Sequence, residues 1–122
     1  MKKIIFRTIF LQAVLVIFFF LCFSPHISYA TAPKSVNLIY DMKTKTLSVS
    51  IDHYTLSASM HYIELIEIKK NGALISKNEY KTQPTGSIFT YTYVIPAKKR
   101  DVFEVTATCN LWGHTTSTFT VP

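Results

Sequence analysis

Between Val36 and Val121 the sequence repeats a period of two seven times over, and that alternation constrains the fold more than any other feature. Val36, Leu38 and Tyr40 alternate in a first strand, which Asp41 to Lys45 turns. Leu47, Val49 and Ile51 alternate with Ser48, Ser50 and Asp52 in a second. A third runs from His61 to Lys69 and ends at Asn71-Gly72, a two-residue hairpin signal. The fourth covers Ala73 to Tyr80 and is broken by Gln83-Pro84-Thr85-Gly86. Ile88 to Ile95 is the fifth, rich in the Tyr, Phe and Thr that suit a pleated surface. Pro96 to Asp101 turns the chain into a sixth strand, Val102 to Cys109, and Thr115 to Val121 is the seventh. Seven short strands in about ninety residues predict an all-β, immunoglobulin-like antiparallel β-sandwich, with a small barrel as the competing architecture. The Cys…Trp…Cys spacing of antibody domains is absent, so only the general sandwich is implied.

Residues 1–30 read as an address. Lys2, Lys3 and Arg7 open it, Ala13 to Phe23 is an unbroken apolar run, and Ser28-Tyr29-Ala30 offers small residues at the two positions a signal peptidase reads. The run is short for a membrane span. Cleavage after Ala30 is the expectation, with a retained N-terminal anchor as the alternative. The domain is then Thr31 to Pro122, and it works outside the cytoplasm, in a periplasm or the medium. Bulky Phe20 and Leu21 before Cys22 do not suit a lipid-anchored cysteine.

Loss of Lys2, Lys3 and Arg7 leaves ten Lys and Arg against seven Asp and Glu, a net charge of +3. Neither that balance nor any aromatic–basic interleaving points to nucleic acid. The positive charge is instead uneven. Lys43, Lys45, Lys69, Lys70, Lys98, Lys99 and Arg100 all fall in turns expected at one pole. Such an end suits weak, salt-sensitive contact with an anionic envelope surface, although ordinary solvated turns look the same in sequence. Tyr91, Tyr93 and Phe89 share one face of the fifth strand, a stripe that reads as core. Glu64 and Glu67 point to opposite faces of one strand and make a poor acid–base pair.

After cleavage one cysteine, Cys109, remains beside three histidines, His53, His61 and His114. Imidazole and thiolate are the side chains that best bind borderline and soft transition metals. In an up-and-down arrangement the second strand ends, the third begins, the sixth ends and the seventh begins at the same pole. That pole holds His53, His61, Cys109 and His114. Parity places His53 with Leu47, Val49 and Ile51, His61 with Ile63 and Leu65, and Cys109 with Phe103, Val105 and Ala107, so all three should point inward. His114 lies in a loop, where parity fixes nothing. The bland alternative is a rim of hydrogen-bonded histidines and a buried thiol that acts as a small hydrophobe.

At these residues the chain resembles the iron-binding domain of the desulfoferrodoxin and neelaredoxin (superoxide reductase) family. His61-Tyr62-Ile63-Glu64 with Ile66-Glu67 is similar to the family's strand motif. Asn71-Gly72 looks like its following hairpin, and Cys109-Asn110-Leu111 with Gly113 is similar to its final Cys-Asn-x-His-Gly loop. The resemblance spans nearly all of the chain after Ala30. It implies an immunoglobulin-like sandwich whose iron lies in a plane of four histidines with an axial thiolate, the sixth position open to superoxide. One electron from the ferrous ion and two protons then give peroxide. Carried over, Cys109 is the thiolate, His61 an equatorial ligand, and His53 stands near the family's His-Pro site, with Tyr54 replacing the proline.

Two departures leave the set incomplete. Trp112 occupies the place of the last histidine, and no histidine lies between Thr31 and Asp52, where the family has an upstream ligand and a neighbouring lysine. His114 lies five residues after Cys109 instead of three. The expectation is a degenerate His/Cys metal site at His53, His61, Cys109 and His114. Iron is the implied cofactor, zinc and copper are compatible with the donors, and there is none if the site is vestigial. The alternative is a metal-free extracytoplasmic binding module that keeps only the scaffold.

Overall fold

A computed structural model describes residues 1–22 and 31–122. The cleavage motif Ser28-Tyr29-Ala30 lies outside the described residues. A helix, α1 (Lys2–Cys22), contains most of the apolar run. Among the described residues no helix is long and apolar enough to cross a membrane.

The remainder is all β. Seven strands follow in order: β1 (Ser35–Asp41), β2 (Thr46–Asp52), β3 (Ile63–Lys70), β4 (Ala73–Glu79), β5 (Ile88–Val94), β6 (Val102–Cys109) and β7 (His114–Thr120). They form two antiparallel sheets, β1-β2-β5 and β4-β3-β6-β7, packed as a sandwich. Alternation dictates the filling. Leu47, Val49 and Ile51 from β2 meet Phe103, Val105 and Ala107 from β6, all with no exposed surface. Every residue of this core lies between Val36 and Val121, and the described side chains of α1 contribute none, so Thr31 to Pro122 carries its own core.

Two turns show how local chemistry fixes the pairing. Asn71 and Gly72 both take left-handed backbone angles, φ 52° and 84°, as a two-residue hairpin of β3 and β4 requires. Asn71 then stitches this turn to the β5–β6 connection: its side-chain amide donates to Asp101 at 2.9 Å and its Oδ1 accepts from the Val102 N–H. Together with the Lys98 N–H, the Asn71 bond holds the Asp101 carboxyl below the usual carboxylate range. Ile95 N donates to Lys45 O and Lys70 Nζ to Pro96 O, so the three basic turns do meet at one pole.

The third strand departs from the expected phase. It begins at Ile63 rather than His61, and its register against β6 shifts between Ile63 and Leu65. The bulge has a plain cause. Strict alternation from Ile63 would carry Glu67 into the core, whereas one inserted residue sends Ile66 and Ile68 there and leaves Leu65 and Glu67 at the margin. Parity counted from Leu65 therefore does not apply to His61, which sits in the bend before the strand.

Candidate metal centre

His53 extends β2 by one residue. Its N–H donates to Ser87 O at 3.1 Å and Thr55 N to Gly86 O at 2.9 Å, continuing the β2–β5 ladder past the end of the sheet. That approach is close enough to need glycine, since a Cβ on Gly86 would stand 2.7 Å from Thr55 O. His53 thus keeps the inward parity of Leu47, Val49 and Ile51 and is buried, 1% exposed.

His61 arrives by a different route. Met60 N and His61 N both donate to Ser57 O, a tight turn that delivers the imidazole to the same place. Asn110 then laces this turn to the end of β6. Its Oδ1 accepts from Tyr62 N, its side-chain amide donates to Met60 O, and its backbone N donates to Tyr62 O. Cys109, the last residue of β6, is a free thiol, 3% exposed, with its backbone N donating to Gly113 O.

The result is a convergence of three donors from three elements. One ligand atom each of His53, His61 and Cys109 lies within 4.8 Å of the others. The two imidazoles meet edge to face, with ring centres 4.6 Å apart at 79°. His114 does not join them. As the first residue of β7 it pairs with Thr108 and is exposed, on the outer face of its sheet. The loop reading of His114 was therefore one residue out, because the hairpin closes tightly at Gly113 (φ 81°) and the strand starts at once. Trp112, in the turn between β6 and β7, is 71% exposed.

Gln83 orients the site, and sequence reasoning had passed over it as part of a strand break. It is 3% exposed. Its amide nitrogen donates to His53 O at 3.0 Å and Thr85 O at 2.7 Å, which fixes Oε1 as the acceptor. Oε1 takes the N–H of Ile63 at 3.3 Å and the Nδ1–H of His53 at 2.8 Å. A neutral His53 therefore carries its proton on Nδ1, as a ligand histidine held by an outer partner does, and turns the lone pair of Nε2 toward Thr31 O, 3.2 Å away. The only sequence signal for this role is a glutamine, with two hydrogen-bonding ends, flanked by a proline in an otherwise polar turn.

His61 supplies the second sign of a ligand site. Its Nε2 is buried with no hydrogen-bond partner among the described residues. Burial, followed by the neighbouring His53, holds its pKa below the usual 6.5, while the Thr31 backbone pulls weakly the other way. Such an orphan costs about 1–3 kcal/mol unless something binds it. A neutral, lone-pair-bearing imidazole is also the form that ligates metal. The donors fit: closing onto one ion at the usual Zn–N and Zn–S lengths needs shifts of about 1 Å, within reach of ring and thiol rotation. His53, His61 and Cys109 would hold the ion, and a metal there would supply Lewis acidity or, with iron or copper, one-electron chemistry.

The depressed pKa of His61 has a stability consequence in the metal-free protein. Folding resists a proton that the unfolded chain accepts, so stability is full above pH about 6.5 and declines as pH falls below it. Melting curves from about pH 7.5 to about pH 5 should show this decline, and His61→Leu should flatten it. Parallel curves for the two proteins would place the proton uptake elsewhere.

No protein-family model matches the chain, and no curated protein matches it. Among solved structures, a variant of the superoxide reductase (neelaredoxin) from Ignicoccus hospitalis is similar, with TM-score 0.51 and 16% identity over 75% of this chain and 81% of that one. A second structure of that Ignicoccus hospitalis protein matches at TM-score 0.49 and 18% identity, covering 80% and 86%. At such identities the likeness is one of fold: seven strands in two antiparallel sheets match the neelaredoxin β-sandwich.

Proposed function

We propose that this chain is an exported, superoxide reductase-like sandwich that binds a single transition metal through His53, His61 and Cys109. The carrying observation is the meeting of two imidazoles and a thiol from three separate elements, one imidazole nitrogen being buried without a partner among the described residues. A core that only needed filling would not retain an orphaned nitrogen beside a second histidine. The fold likeness favours iron, and the donor set accepts zinc or copper. Export rests on the charged start, apolar run and small-residue motif of residues 1–30.

Metal analysis of the purified domain, after refolding with ferrous iron or zinc, should return about one ion per chain. Replacing Cys109 with serine should remove the sulfur-to-metal absorption of the cobalt-substituted protein. Substoichiometric metal in every preparation would sink the reading.

One observation favours a metal-free interaction module as the second reading. The loops that frame the site expose Tyr54, Leu56, Met60, Leu111 and Trp112, with Leu56 92% and Met60 73% exposed. An apolar rim of this kind suits protein contact whether or not a metal sits beneath it. At the opposite pole, Lys69 is engaged by Glu104 at 3.2 Å and Lys70 by Pro96 O. Lys43, Lys45, Lys98, Lys99 and Arg100 remain for an anionic surface, and cosedimentation with anionic vesicles that disappears on raising salt is the expected sign.

A further inference from the structure

We propose that cleavage after Ala30 completes the metal centre: the new N-terminus at Thr31 supplies its α-amine and its carbonyl oxygen as a chelate alongside His53, His61 and Cys109. The inference rests on the metal-binding reading above and on the export reading of residues 1–30. It goes further in making the chain terminus a ligand.

The first observation is a facing pair of acceptors. Gln83 occupies the Nδ1–H of His53, so in the neutral ring Nε2 is an acceptor, yet Thr31 O lies 3.2 Å from it. Two lone pairs at that distance repel unless a proton or a cation lies between them. Two donors each about 2.0–2.1 Å from one five-coordinate ion stand about 2.9–3.4 Å apart, a range that includes this separation.

The second observation is that Thr31 is strapped in place. Ala32 packs against Gly113 so closely that a Cβ there would meet the Ala32 Cβ at 2.7 Å. Pro33 is buried and its carbonyl accepts from Thr115 Oγ1. Lys34 N donates to Asp52 O at 2.7 Å. The strap therefore joins the segment to β7 and to the end of β2, the strand that carries His53 into the site.

The third is chemical. Two histidines and one thiolate fall short of the four donors a closed zinc site uses, and shorter still of an octahedral iron set. A peptide nitrogen is a poor ligand because its lone pair is delocalised into the carbonyl. A terminal amine is a good one once its ammonium proton leaves, and with its own carbonyl it closes a five-membered ring after rotation about one Cα–C bond. The uncleaved precursor offers only the amide at Thr31. Full metal loading would then follow export. Uptake releases one proton from the Thr31 ammonium and one from the Cys109 thiol.

The test compares Thr31 to Pro122 with a free amine, the same chain N-terminally acetylated, and a form extended by one alanine before Thr31. Cobalt(II) is the probe, read by absorption, by competition with a chelator and by protons released in buffers of different ionisation heat. The free-amine form should bind at least about tenfold more tightly, since losing even an outer partner costs 10–100-fold, and should release one more proton than the acetylated form. Equal affinity and equal proton release would overturn the inference while leaving the three-residue centre intact, provided Cys109→Ser still removes the sulfur-to-cobalt band. Absence of binding in all three forms would end both readings together.

Discussion

Replacing Gln83 with leucine should destabilise the metal-free domain by about 3 kcal/mol, more than any other polar substitution at this pole. Leucine has comparable bulk and leaves little cavity, so the loss falls on hydrogen bonds. The Ile63 N–H, the His53 Nδ1–H and the carbonyls of His53 and Thr85 would lose their partner, several of them in a buried setting. Each buried orphan costs about 1–3 kcal/mol, with partial relief where water reaches the Thr85 side. For a domain of this size the melting temperature should fall by roughly 12–24 °C. Metal affinity should fall as well, by about 10–100-fold, because His53 would no longer be held in its Nδ1–H tautomer. Gln83→Glu separates the two effects, since it retains an acceptor for His53 but loses the donor side. A loss below about 1 kcal/mol for the leucine variant would show that Gln83 is a bystander.

The second large effect has opposite signs in the two states of the protein. His61→Leu should abolish stoichiometric metal binding and yet stabilise the metal-free domain. The gain comes from removing a buried nitrogen that has no partner among the described residues, worth about 1 kcal/mol or roughly 4–8 °C in melting temperature. In the wild type, metal at a hundredfold over its dissociation constant should add about 2.7 kcal/mol, and this increment should vanish in the variant. A residue kept for packing would behave otherwise: its replacement would lower stability without metal and leave any metal-induced shift unchanged. Calorimetry of both proteins with and without zinc reads all four values.

These two predictions share a physical root. A binding site stores unsatisfied capacity in the folded state, and the neighbouring structure must absorb the cost. Here the sandwich core of β2, β3 and β6 absorbs it, with Ile51, Ile63 and Ala107, each two residues along the chain from a donor, packed to exclusion of solvent.

Much of this was legible in the sequence because strand physics is local. Side chains alternate, so Leu47, Val49 and Ile51 could only line one face, and the same count carried His53 and Cys109 inward. Hairpin chemistry placed the turn at Asn71-Gly72, and the alternating direction of successive strands put the ends of β2 and β6 at one pole. What alternation could not reveal was anything that broke it. The β3 bulge, set by the need to keep Glu67 out of the core, broke the count from Leu65, and a turn at Ser57 before the strand positions His61. The immediate start of β7 after Gly113 sent His114 outward.

The sequence by itself determined the seven strands, their inward faces and the gathering of soft donors at one tip, since each follows from periods of two and from turn residues a few positions long. Only the tertiary structure decided which donors meet, that Gln83 fixes the His53 tautomer, and that Thr31 lies over the site. Most of those contacts join residues far apart in the chain, such as His53 with Gln83 and Tyr62 with Asn110. Hydrogen-bond partners at that range are chosen by how two sheets pack, and packing is a property of the whole core rather than of any short stretch of chain.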